Sequence, residues 1–385
     1  MNLVAAVAAQ SVAPLRVEWR PLAALTPIVP QWRALAAHAL EPNVFYEPAF
    51  ALPAAALWGR EVVVALVWSP DGRLLGFFPA RIERRYGLPL PVLSGWTHPY
   101  APLGTPLVDG DDAEDIIAAW LDDLAGAAEQ PSLAMLPLVP EAGPFAAALG
   151  GALERRDLPH APFGRHCRAL LAPREERARY LERAVGAKKR KELRRQRHRL
   201  ADVGTLKIEH TADAALVAGA LGDFLDLEAR GWKGRAGTAA AKNVAIRAFI
   251  EEAVAGLAAD GQARIDRLRV AARTVAAAVT LRSASRAWTW KIAYDEAFAR
   301  SSPGVQLMLD VTEALLADPR IAETDSCATA DHPMIDRLWS ERLALADHLV
   351  AVRAAPLAFA LACRLEALRR TATGLAKTVR DRVRG

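Results

Sequence analysis

Two stretches do most to limit what this chain can fold into, because each reads as a long β-hairpin and the elements around both come in the same order. "REVVVALVWSPDGRLLGFFPARIERR" (60–85) places β-branched and aromatic residues on either side of an Asp71-Gly72 turn, and "ARIDRLRVAARTVAAAVTLRSASRAWTWKIAYDE" (263–296) has the same character. Each hairpin follows a helical pattern and leads on to a loop, a helix and a further strand. In the first half the later pair is "DAEDIIAAWLDDLAG" and "PSLAMLPLVP"; in the second it is "PGVQLMLDVTEALL" and "IAETDSCAT". No residue-level repeat is visible, so the doubling rests on element order alone. The expected architecture is a mixed α/β (α+β) chain with units at 14–165 and 166–345, followed by a basic, amphipathic helical appendage at 346–385.

A length of 385 residues suits two such units, and 52% hydrophobic content is enough to bury their cores. Cys167, Cys327 and Cys363 are an odd, scattered set without a C-x-x-C, so neither a disulfide framework nor a zinc site is expected, and no metal is assigned. No stretch reaches the length of a membrane span, and the apolar start lacks a basic n-region. A cytoplasmic protein is expected, with peripheral contact at the inner membrane face left open.

The net charge of +5 is unevenly held. "KKRKELRRQRHR" (188–199) and residues 353–385 each carry eight Lys or Arg, and the rest of the chain is net negative. A protein that coats nucleic acid along its whole surface is therefore disfavoured. Leu193 and Leu200 lie seven apart, which suggests that the first basic segment is a helix lying on the protein with its charges in water. A meeting with anionic lipid or a polyanionic acceptor is preferred to RNA, since interleaved aromatics are missing. The tail reads as a helix able to lie on an anionic membrane surface, or to dock on the second unit or a partner chain.

In "SRAWTWKIAYDE" strict alternation puts Trp288, Trp290, Ile292 and Tyr294 on one face and Lys291 on the other, where it can look into a cleft. The following helix carries Val305, Met308, Leu309, Thr312, Leu315 and Leu316 at helical spacing. Ser302 is placed to cap it and Pro303 to begin it, leaving the amides of Gly304, Val305 and Gln306 free. Free amides and the helix dipole at a strand end suit a pyrophosphate. A well-capped structural helix is the competing reading.

"EARGWKGRAGTA" (228–239), the strand into "YDEAFARSSPGVQLMLDVTEAL", and "DSCATADHPMIDRLW" (325–339) resemble, in this order and spacing, the GNAT-superfamily acetyltransferases of the CelD/BcsL type. That family is linked to cellulose and other exopolysaccharide biosynthesis and is related to the Fem-type aminoacyltransferases. The likeness covers roughly residues 180–340. It implies two GNAT-like units side by side, the first degenerate, with acetyl-CoA or another acyl-CoA as co-substrate and no covalent enzyme intermediate. It implies that Ser301, Ser302, Gly304, Val305 and Gln306 form the donor cradle, although Pro303 removes one amide from the usual pattern. Asp325, Asp331 and His332 are the candidate bases, and Tyr294 a candidate proton donor to the leaving thiolate. Trp232, Lys233 and Arg235, on what reads as a flexible glycine-rich loop, together with Lys291, His98 and Tyr100, are the candidate acceptor-binding groups. Cys327 has no adjacent basic residue and reads as a small residue near a strand end. The expected reaction is N- or O-acyl transfer to a polysaccharide or envelope precursor. A non-catalytic accessory protein of polysaccharide export and a tRNA-dependent aminoacyl transferase are the alternatives.

Overall fold

The computed structural model describes residues 14–173 and 177–384. The first half runs β1 (Arg16–Pro21), α1 (Val29–His38), α2 (Pro48–Trp58), β2 (Val63–Trp68), β3 (Leu74–Glu83), β4 (Val92–Gly95), β5 (Leu107–Val108), α3 (Ala113–Gly126), β6 (Leu133–Pro140), α4 (Pro144–Glu154) and β7 (His160–Leu171). The second half runs α5 (Tyr180–Ala184), α6 (Ala187–Ala201), β8 (Leu206–Thr211), α7 (Ala214–Arg230), α8 (Trp232–Arg235), α9 (Val244–Ala259), β9 (Ala263–Val270), β10 (Arg273–Ser283), β11 (Arg286–Tyr294), α10 (Pro303–Ala317), β12 (Glu323–Asp325), β13 (Glu341–Ala351) and α11 (Pro356–Arg384). Local chemistry starts several of these helices. Asp213 accepts the Ala215 amide at 2.9 Å ahead of α7, and Asn243 accepts two amides ahead of α9. Proline opens α2, α4 and α10.

All the strands join one mixed sheet in the order β1-β2-β3-β4-β6-β13-β7-β12-β11-β10-β9-β8, with β5 beside β3. Each half contributes an antiparallel run of four strands (β1–β4 and β8–β11), whose last member then pairs in parallel with β6 or β12. The doubled order of the sequence is thus a doubled topology. The halves also exchange their last strands: β7 pairs with β12 of the second half, and β13 pairs with β6 of the first. β7 and β13 lie antiparallel to each other at the centre.

This exchange overturns the boundaries expected at 165/166 and 345/346, which fall inside β7 and β13. The helical reading of residues 346–355 fails for the same reason, since Ala346 to Ala351 are strand and the terminal helix begins at Pro356. Burial is equally indifferent to the boundary. One continuous core joins Trp32, Phe45, Phe50 and Trp96 of the first half to Phe224, Phe249, Trp288 and Trp290 of the second. Arg286 pairs with Glu41 across the halves as well as with Glu323 beside it.

Candidate active site

β11 and β12 pair over only three positions, Arg286–Glu323 to Trp288–Asp325, and then part. β11 runs on to Tyr294 while the chain leaves β12 through Cys327, whose φ of 53° turns it away. The gap is a cleft of about 250 Å³ lined by Lys233, Lys291, Ile292, Met308, Cys327 and His332. A larger hollow of about 420 Å³ beside His38, Arg73 and Asp109 lies in the first half, away from the parted strands.

A bulge decides what β11 shows to the cleft. Val279 faces Lys291 while the next residue of β10, Thr280, faces Thr289, so Trp290 is an extra residue on β11. The alternation expected from the sequence slips there. Trp288, Trp290 and Ala293 pack into one core, whereas Ala287 and Ile292 pack on the other side. Lys291 therefore does not face away from the aromatics. Its ammonium sits 4.1 Å from the ring centre of Tyr100 and 5.1 Å from that of Trp290. Tyr100 belongs to the first half, and its carbonyl accepts the Trp290 indole N–H at 2.9 Å.

Burial among these groups lowers the Lys291 ammonium to about 8, against the opposing pull of Glu228. Glu228 is itself buried on α7, where it accepts Lys233 Nζ at 2.8 Å and the Ala240 amide at 2.9 Å. Burial alone would raise this carboxyl, but the bond and charge of Lys233 outweigh it and hold the group below the ordinary range. Glu228 was not among the residues expected from the sequence. Its only signal there is a lysine five positions on.

The other expected site residues are dispersed. Asp325 is fully buried, paired with Arg168, and accepts the Cys327 amide at 2.9 Å, so its oxygens are committed to holding the strand end. Asp331 sits exposed in a turn at φ 56°. His332 does line the cleft, its Nδ1 accepting the Met334 amide at 3.4 Å. His98 lies outside the cleft lining, stacked on Trp58 at 4.5 Å, with Phe50, Trp96 and Phe249 around it. Burial lowers its ring to about 3, so it is a neutral packing group. Cys327 shares the cleft with Lys291, and burial followed by the Asp325 carboxylate pushes its thiol well above the ordinary value. A thiolate nucleophile is thereby disfavoured.

The expected flexible loop is instead the short helix α8. Glu296 ties it down by accepting the Trp232 amide at 2.6 Å and pairing with Arg235, while the Trp232 side chain is exposed. The start of α10 also differs in detail. Ser302 stands at the cap position with φ 48°, and its hydroxyl caps nothing. Ser301 closes the preceding 3-10 turn. The Gln306 amide makes the first helical bond, to the Ser302 carbonyl at 3.0 Å, and its side chain donates to the Leu193 carbonyl of α6 at 2.8 Å. Only the Gly304 and Val305 amides remain without a partner among the described residues.

A Cβ on Gly304 would stand 3.2 Å from Tyr294 and 3.8 Å from Ile292. Ile292 thus separates this helix start from the cleft it lines. Tyr294 is exposed beside Gly304 and outside the cleft lining. α6 lies against α10, held by Arg197–Asp310 at 2.8 and 3.2 Å and by burial of Leu193 and Leu200, the two leucines whose spacing the sequence singled out. Lys188, Lys189, Lys191, Arg194 and Arg199 are exposed on α6 and unpaired among the described residues. Among the described residues no group of His, Cys, Asp or Glu is arranged to hold a metal ion.

Comparison with known proteins fits this geometry. Residues 187–332 match the family model of the acetyltransferase (GNAT) domain. Among solved structures, FemX matches with TM-score 0.57 at 11% identity, covering 86% of this chain and 97% of that one. The C-terminal domain of a putative lysylphosphatidylglycerol synthetase from Agrobacterium fabrum matches with TM-score 0.53 at 14% identity, covering 87% and 94%. A conserved protein of unknown function from Bacteroides thetaiotaomicron matches with TM-score 0.51 at 9% identity, covering 88% and 100%. At these identities the likeness is one of fold. Comparison with curated proteins gives no match. All of α10 and most of the cleft lining lie inside the segment that matches the GNAT acetyltransferase domain, and the chain is an acyltransferase.

Proposed function

We propose that the chain transfers an acyl group, with acetyl as the first candidate, from an acyl-CoA to an amine or hydroxyl acceptor bound in the cleft between β11 and the segment after β12. The observation that carries this reading is the parting of the two strands around Lys291, beside a helix start with two free amides. The thioester would lie along the exposed end of β11. Its phosphates would meet the Gly304 and Val305 amides and the cations of α6. In the reaction the acceptor nitrogen or oxygen attacks the thioester carbonyl carbon, the carbon–sulfur bond breaks, and the acceptor's proton ends on the CoA thiolate.

With Asp325 held by Arg168 and Asp331 out in a turn, Lys291 is the group best suited to take that proton. At pH 8 about half of it is the neutral amine. Tyr100, Trp290 and Lys233 would hold the acceptor near it. The acceptor is proposed to be a polysaccharide or envelope precursor, on the strength of the CelD/BcsL resemblance.

Titration calorimetry with acetyl-CoA tests the donor, and release of free CoA thiol with candidate amines and sugars tests turnover. Thiol release should rise with pH through about 8. No heat with acetyl-CoA would remove the reading. The unpaired cations of α6 favour a second donor, an aminoacyl-tRNA. Binding of tRNA without binding of acetyl-CoA would decide for it.

A further inference from the structure

The terminal helix α11 uses one face to hold itself to the protein and leaves an apolar face outside. On the inner face Glu366 is fully buried beneath three arginines: Arg85 at 2.9 and 3.1 Å, Arg369 at 2.7 and 3.1 Å, and Arg370 at 2.7 Å. Arg370 also reaches Asp347 on β13. Ala362, Phe359 and Cys363 close over Val92, Met135 and Leu349 of the sheet. On the outer face Leu357, Leu361, Leu368 and Leu375 are 86%, 46%, 67% and 64% exposed. Steps of about 100° per residue put these four leucines within about 40° of one another and Glu366 about 180° from the first. Nothing in the fold needs them. At solvent-facing helix positions polar residues serve solubility better, so four aligned leucines mark a surface that is covered in use.

The charge around the stripe selects what covers it. Residues 353–385 contain eight Lys or Arg against Glu366 and Asp381; Arg369 and Arg370 pair with Glu366, and Arg353 donates to carbonyls of the first half. Arg364 is exposed beside the stripe. The neighbouring β3–β4 hairpin, tied to the inner side of α11 through Arg85, carries exposed Ile82, Leu88 and Arg84 of its own. A second copy of this chain seated on this face would bring another net-positive terminal segment against this one. A surface of anionic lipid would take the leucines into its acyl boundary and the arginines at its headgroups. We propose that the outer face of α11 docks the protein on an anionic membrane surface. The proposal does not depend on which acyl donor or acceptor the cleft takes.

The test is co-sedimentation of the full chain with vesicles of phosphatidylcholine alone and of phosphatidylcholine with about 30% phosphatidylglycerol. The wild-type protein should pellet with the second and stay in solution with the first, and about 0.5 M salt should weaken binding. The variant L361S/L368S/L375S should partition at least about tenfold less well. Because its changed side chains are exposed, its thermal midpoint should stay near that of the wild type. The variant R84E/R364E, which leaves the leucines in place, should also lose anionic binding. Equal recovery of the wild-type protein with both vesicle types would overturn the proposal. So would a wild-type dimer by light scattering that the serine variant turns into a monomer, since the stripe would then be covered by a second copy.

Discussion

Lys291→Met separates what the cleft needs from what the fold needs. Lowering an ammonium from 10.5 to about 8 corresponds to about 3 kcal/mol of destabilisation at neutral pH, at about 1.4 kcal/mol per pH unit. Residual solvent contact, and the loss of the Glu228 attraction and of the Tyr100 ring contact, reduce the gain from removing the charge. Methionine keeps the stem's apolar volume, so the variant should be more stable than the wild type at pH 7 by roughly 1–3 kcal/mol. The sign follows from proton counting. Below pH 8 both folded and unfolded lysine are charged, and the full penalty stands. Between about 8 and 10.5 the folded chain has released the proton that the unfolded chain still binds, so wild-type stability gains on the variant as pH rises. Urea denaturation of both proteins at pH 7 and at about pH 9.5 reads the difference directly. A variant no more stable than the wild type at pH 7, or a difference that does not shrink with pH, would refute the reasoning. Thiol release by the same variant should fall at least about a hundredfold if Lys291 takes the proton.

Three further outcomes follow from the structure. Gly304→Val pushes a branched side chain against Tyr294 and should weaken acetyl-CoA binding about tenfold by calorimetry, with a much smaller change in thermal midpoint; equal loss of both would count against the cradle. Arg168→Met leaves the buried Asp325 carboxylate without its partner and should cost about 3–5 kcal/mol in denaturant unfolding. Trp339→Phe removes the 3.0 Å bond from its indole to Thr312 and leaves a void under α10, at a cost of about 2–3 kcal/mol; a neutral substitution would show that this tryptophan does not brace the helix.

The hairpins were legible because an Asp71-Gly72 turn and β-branched alternation act over a few residues. The exchanged strands were not. β13 reads "ERLALADHLVA", with Ala, Leu and charges that suit a helix, and becomes a strand only because β6 and β7 lie open on either side. β7 contains Pro162 and Gly164 and buries continuously only from Arg168. The bulge at Trp290 leaves no mark on the alternation, so the sequence shows Lys291 as a polar residue in an aromatic run but not the face it takes. Asp325 and His98 have the residue types of a site, and their commitment to Arg168 and to a ring cluster comes from partners far away in the chain. Glu228 looks like an ordinary helix charge in the sequence because its weight lies in burial.

The strand exchange at the middle of the sheet also sets an order of events during synthesis. When Pro140 leaves the ribosome, β6 has an open edge, and the strand that closes it begins at Glu341. β7 likewise waits for the second half before β12 is made. Through most of translation the nascent first half therefore exposes unsatisfied main-chain groups at the seam. A gene split between the halves would yield two fragments that each lack the other's closing strand, so only their co-expression would restore a soluble protein.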